Sequence, residues 1–171
     1  MAGSAREGPR VVVLCIGNPD RGDDGAGRAV ARALGDSLGD AEVIEEEGEA
    51  TRVLARLESA DAAFIVDACV SGMRSGEIRR FEVGEGPLPH AAFGGASTHG
   101  FGLAEGLELA RTLGALPSCC VVYAIEGECF EIGAPMSPPV AAAVPVVADR
   151  LRKDIMGGDR PSAASGAEPP A

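Results

Sequence analysis

The stretch "GNPDRGDDGAG" at residues 17–27 directly follows the apolar run "VVVLCI" at 11–16. A continuous β-branched run, a glycine-rich turn and then helical spacing read as the first strand, loop and helix of a parallel α/β sheet. Phosphate-binding loops share that order, but the letters here differ. The turn lacks the Gly-Lys-Ser/Thr ending and the Gly-x-Gly-x-x-Gly spacing of nucleotide sites. It also carries Asp20, Asp23 and Asp24, which would repel a phosphate. An acidic glycine loop in this position suits a cation or a basic group.

Working outward, the apolar spacing from Ala26 turns helical, with Ala26, Val30, Ala33, Leu34 and Leu38 on one face. Residues 41–46 read as a short strand, and a helix is expected around Val53, Leu54 and Leu57. "AAFIVDA" (62–68) is a second buried strand, "EIRRFEV" (77–83) a half-exposed one and "CCVVYAI" (119–125) the last. The stretch 84–97, rich in Gly, Pro and Ala, reads as a long loop, a feature often tied to function. A helix bearing Leu103, Leu107, Ala110 and Leu113 follows it. Ser137 and Pro138 look like the N-cap and first position of a final helix running through Val140, Val144, Val147, Leu151 and Ile155. Pro145 falls inside that pattern and is expected to kink it.

Alternating strands and helices predict an α/β fold, a three-layer αβα sandwich with a mostly parallel central sheet of about five strands. Residues 1–9 are expected to be flexible, 10–156 to form a single domain and 157–171 to be a disordered tail. Fifteen basic against 26 acidic residues leave a net charge of −11, which argues against nucleic acid and anionic membrane surfaces as partners. No secretory signal or membrane-spanning stretch is visible, so a cytoplasmic protein, and a monomer, is expected. The five cysteines form no Cys-x-x-Cys pair. Cys15, Cys119 and Cys120 sit in strand-like runs and are expected to be reduced core thiols.

Folds of this class place their sites beyond the carboxyl ends of the strands. The first strand delivers Asp23 and Asp24 to a helix start. Capping through the helix dipole is the expectation for Asp23, while Asp24 is expected to stand at the sheet edge. The third strand ends on Asp67, and the long loop delivers His99 in "STHGFGL" (97–103). Two carboxylates and an imidazole suit a borderline divalent metal, or a water activated between carboxylates. Three ligands leave coordination positions open for a substrate. Glu45–Glu47 reads as a solvated charge run; bordering the cleft, it would instead favour a basic substrate tail.

At these residues the chain resembles the [NiFe]-hydrogenase maturation endopeptidases. That family trims the C-terminal extension from a hydrogenase large subunit after nickel insertion. The resemblance spans roughly residues 10–155 and rests on four pieces in order: "GNPDRGDDGAG", "VDA" (66–68), "HGFGLAEGLELA" (99–110) and "IEGECFEIGAPMSPPV" (125–140). It implies a phosphorylase/hydrolase-like fold and, by motif position, a metal-recognition and catalytic site of Asp24, Asp67 and His99. It further implies that the nickel belongs to the large-subunit precursor rather than to the enzyme. Relatives often carry a glycine- and threonine-rich turn after the second strand, where this chain has "EEEGEAT" (45–51). Three other classes compete: a non-catalytic nickel- or precursor-binding chaperone, a thiol hydrolase using Cys69 with His99, and a nucleotide-binding module, against which the acidic loop speaks.

Overall fold

A computed structural model describes residues 8–86, 88 and 102–157. His90, His99, most of the expected loop at 84–97 and both chain ends lie outside the described residues.

Three apolar runs and two alternating, charge-bearing strands form one sheet. The strands are β1 (Val11–Ile16), β2 (Glu42–Glu46), β3 (Ala62–Cys69), β4 (Ile78–Glu82) and β5 (Cys119–Glu126), in the spatial order β2-β1-β3-β5-β4. β2, β1, β3 and β5 are mutually parallel, and β4 alone runs antiparallel, against β5. β1 and β5 are buried along their whole length, as strands covered on both faces must be. β4 is only partly buried, which fits its edge position.

Helices α1 (Ala26–Leu34) and α4 (Pro138–Met156) cover one face, and α2 (Ala50–Leu57) and α3 (Leu103–Thr112) the other. Strand alternation assigns side chains to the two layers. Val13, Phe64 and Tyr123 pack toward α1 and α4, while Leu14, Ile65 and Val122 pack toward α2 and α3. Asp67 has the parity of Ala63 and Ile65, so it belongs to the α2/α3 face. The structure is therefore the mostly parallel three-layer sandwich that the alternation predicts. Among the described residues no helix is long and apolar enough to cross a membrane.

Several local expectations are corrected. Ala33 is exposed and Ala31 takes its place in the core. Leu38 is buried, but beyond the end of α1. Leu113 follows α3 rather than joining its apolar face, and is 60% exposed. Pro145 falls inside α4, which runs unbroken from Pro138 to Met156. It lies on the solvent side together with Ala141, so the carbonyl that proline leaves without a helical partner can be hydrated. Ser137 does precede α4, but its hydroxyl makes no cap and instead reaches Asp23.

Candidate active site

The loop after β1 is held from three sides. Gly17 donates its N–H to the Glu46 carbonyl at 3.0 Å, and its own carbonyl accepts from Arg28 Nε at 3.0 Å. Arg28 also pairs with Glu45 at 2.6 Å. Gly17 adopts φ +134°, and a Cβ there would lie 1.9 Å from the Asp24 carbonyl oxygen, so only glycine permits this turn. The close approach folds Asp24 back over the end of β1. Asn18 N–H then donates to Asp24 Oδ2 at 3.0 Å, fixing that carboxylate in a short 3-10 turn over Gly22–Gly25.

The carboxyls of Asp23 and Asp24 point to different partners, and Asp23, expected to cap the helix start, does not do so. Its side chain has no solvent exposure and turns across the sheet edge toward the loop between β5 and α4. There it accepts hydrogen bonds from Glu128 N (2.8 Å), Cys129 N (3.0 Å), Ser137 N (2.7 Å) and Ser137 Oγ (3.0 Å). Its own N–H donates to the Cys129 carbonyl at 2.8 Å. Burial alone would raise its pKa, but these donors outweigh burial and hold the carboxyl below its ordinary value. Gly22 completes the junction: at φ +56°, any Cβ there would lie 2.5 Å from the Cys129 carbonyl oxygen.

Asp67 ends the apolar run of β3 and is half-buried. Desolvation, and then repulsion from Asp24, push its carboxyl up to about 8. Asp24 and Asp67, separated by 43 residues in sequence, thus act on one another at the carboxyl edge of β1 and β3. Two mutually repelling carboxyls at a sheet edge have a natural ligand in a cation. Among the described residues no group of three or more histidine, cysteine, aspartate or glutamate side chains is arranged to hold a metal. His99, the third residue expected of the set, lies outside them. Four residues on, α3 starts on the Asp67 face, its first turn secured by the 3.0 Å bond from Gly102 N to Glu105 Oε2.

Two buried glutamates escape sequence reading. Glu46, in the middle of the acidic run, is only 4% exposed and is paired with Arg56 at 2.8 Å. The run is thus not a uniformly solvated face; Glu45 and Glu47 are exposed on either side. Glu126 ends β5 and accepts from Ser71 N (2.7 Å), Ser71 Oγ (2.7 Å), Gly72 N (2.9 Å) and Met73 N (3.2 Å). Burial opposes its ionisation, yet these donors hold its pKa below the ordinary value. The only sequence signal for either is a charged letter at the end of a strand.

The Cys69 thiol donates to Glu126 Oε2 at 3.3 Å. Burial first, and then that bond, push it up to about 12, which leaves almost no thiolate at neutral pH. Cys15 and Cys120 are likewise buried and raised to about 12. They are core thiols, as their strand contexts predict.

A model of the hydrogenase maturation protease family (HycI) matches residues 29–153, a segment that includes Asp67 and His99 and begins five residues after Asp24. No curated protein matches the chain. Among solved structures, the chain is similar to the hydrogenase maturating endopeptidase HybD from E. coli. That match has 22% identity and a TM-score of 0.71, and covers 91% of this chain and 99% of the other. The [NiFe] hydrogenase maturation protease HybD from Thermococcus kodakarensis matches at 25% identity and a TM-score of 0.66, over 85% and 99% of the two chains. An endopeptidase from Escherichia coli matches at 22% identity and a TM-score of 0.74, over 86% and 94%. At such identities the E. coli structures speak to the fold.

Proposed function

Because the chain belongs to the hydrogenase maturation protease family, and is thus a peptidase of hydrogenase maturation, we propose that it removes the C-terminal extension of a [NiFe]-hydrogenase large-subunit precursor once nickel is in place. The nickel is part of the substrate. Asp24, Asp67 and His99 engage it and so set the C-terminal peptide of the precursor beside the carboxyl edge of the sheet. The observation that carries this reading is the placement of Asp24 and Asp67 at the carboxyl ends of the neighbouring strands β1 and β3, the edge where such folds hold ligands.

In the free protein the raised pKa keeps Asp67 largely protonated at neutral pH. An approaching cation favours the ionised form, so engagement displaces that proton. The attacking water is then activated by the metal or by one of the two aspartates acting as general base. The inert state of Cys69 disfavours a thiol mechanism.

The test is processing of a purified nickel-loaded precursor by Asp24→Asn, Asp67→Asn and His99→Ala variants, read as the size shift of the large subunit. Each is expected to lose processing by about a hundredfold or more. Normal trimming by all three would refute the site. A wild-type protein that binds the precursor and leaves it at full length would instead support the chaperone reading.

A further inference from the structure

Two loops rise from the carboxyl ends of the paired strands β3 and β5, and each is pinned by a buried carboxylate. Glu126 takes the backbone N–H groups of residues 71, 72 and 73 in the β3–β4 loop. Asp23 takes those of residues 128, 129 and 137 in the β5–α4 loop, where Gly133 N also donates to the Asp20 carbonyl at 2.7 Å. A loop is normally the least restrained part of a fold. Here both are tied down by charge-assisted bonds, the stronger class of hydrogen bond.

Among the charged side chains that these fixed loops show to solvent stand large apolar ones. Val70 and Met73 stand exposed on the first, and Ile132, 84% exposed, on the second. They are three of the seven large apolar side chains exposed among the described residues. A single exposed apolar residue needs no explanation. Three on two restrained loops at one sheet edge make a surface ordered before any partner arrives, and such preordering reduces the entropy lost on binding.

We propose that these two loops are the docking surface for the large-subunit precursor, with Val70, Met73 and Ile132 as its apolar anchors. This rests on the functional reading above and adds to it where the body of the substrate sits. The loops flank the reacting edge: one begins three residues after Asp67, and the other is clamped by the neighbour of Asp24. A protein presenting its peptide to Asp24 and Asp67 must lie over them. Exposed Glu131 adjoins Ile132 on the second loop, with exposed Glu128 four residues before it, while exposed Arg74 adjoins Met73 on the first. The matching face of the partner is therefore apolar, with basic residues opposite the second loop and an acidic one opposite the first, and docking weakens as salt rises.

The test is the affinity of purified precursor for three full-length proteins: wild type, a Met73→Ser/Ile132→Ser double variant, and a Leu113→Ser control. Leu113 is also exposed, but it lies at the end of α3 on the approach to the start of β5, at the opposite edge of the sheet. All three replaced side chains face solvent, so unchanged melting temperatures are expected. The double variant should bind about tenfold more weakly, as for anchors near an interface centre, and the control as wild type. Equal affinity of the double variant and wild type, or an equal loss in the control, would overturn the docking surface. A wild type without measurable binding would overturn it together with the functional reading. Weakened binding by the double variant with no cleavage by wild type would refute the peptidase reading alone and leave the docking surface standing.

Discussion

Asp23 accepts both the backbone N–H and the hydroxyl of Ser137, at 2.7 and 3.0 Å, across 114 positions of sequence. Through this pair the loop after β1 and the start of α4 become one unit, and Asp24 is presented from it. Replacing Asp23 by alanine strands four donors at the junction and is expected to cost about 3 kcal/mol of stability or more. Ser137→Ala removes one donor and is expected to cost about 1–2 kcal/mol. The sign of the pH dependence follows from the depressed carboxyl. A folded pKa below the ordinary 3.8 stabilises the fold above that value, and the contribution is lost as pH falls through the depressed one. Urea unfolding should therefore show the full Asp23→Ala penalty at pH 6, and the penalty should shrink only as pH is taken well below the ordinary 3.8.

Asp67 carries the opposite sign. Its folded pKa of about 8 lies above the ordinary 3.8, so its contribution is complete below 3.8 and lost as pH rises through about 8. At pH 9 the free protein holds a charged Asp67 against Asp24, and Asp67→Asn relieves that repulsion. The variant should melt about 3 °C higher than wild type at pH 9 and no higher at pH 4, while failing to process precursor. A destabilised carboxyl kept at the reacting edge would show stability given up for function.

Engagement of the nickel-loaded precursor should release a proton where Asp67 is protonated, below about pH 8. Calorimetry in buffers of different ionisation heat measures this directly. Close to one proton is expected at pH 7 and a smaller fraction at pH 9. Asp67→Asn should abolish the difference between buffers.

The Cys69 thiol, raised to about 12 and bonded to Glu126, should resist iodoacetamide at pH 8 in the folded protein. Cys69→Ser retains a donor toward Glu126 and is expected to process precursor within about twofold of wild type. Loss of processing in that variant, with the fold intact by circular dichroism, would reinstate the thiol mechanism.

The layers and the strand order of chemistry were legible because they are local. Three apolar runs and two alternating stretches of the right length announce five strands, and Asp67 stands out because a charge ends the run "AAFIV". Asp24 was legible from the glycine turn around it. Asp23 was legible as structural, but not in what it holds, since its donors lie 105 to 114 positions away. Glu126 was hidden for the same reason, its donors lying more than fifty positions away, whereas Glu46 is paired with Arg56 of the next helix, and a charged letter in an acidic run reads as exposed until such a partner is known to cover it. What the proline in α4 costs depends on whether the carbonyl it leaves unpaired can meet water, and only the burial of the neighbouring residues shows that Ala141 and Pro145 lie on the exposed side.

The most direct test of the account is to incubate the wild-type protein with matched metal-free and nickel-loaded precursors and follow the large subunit by mass. Shortening of only the nickel-loaded form, at its C-terminus, is the predicted result. Equal cleavage of both forms would contradict recognition of the bound metal by Asp24, Asp67 and His99, and cleavage of neither would contradict the proposed activity itself.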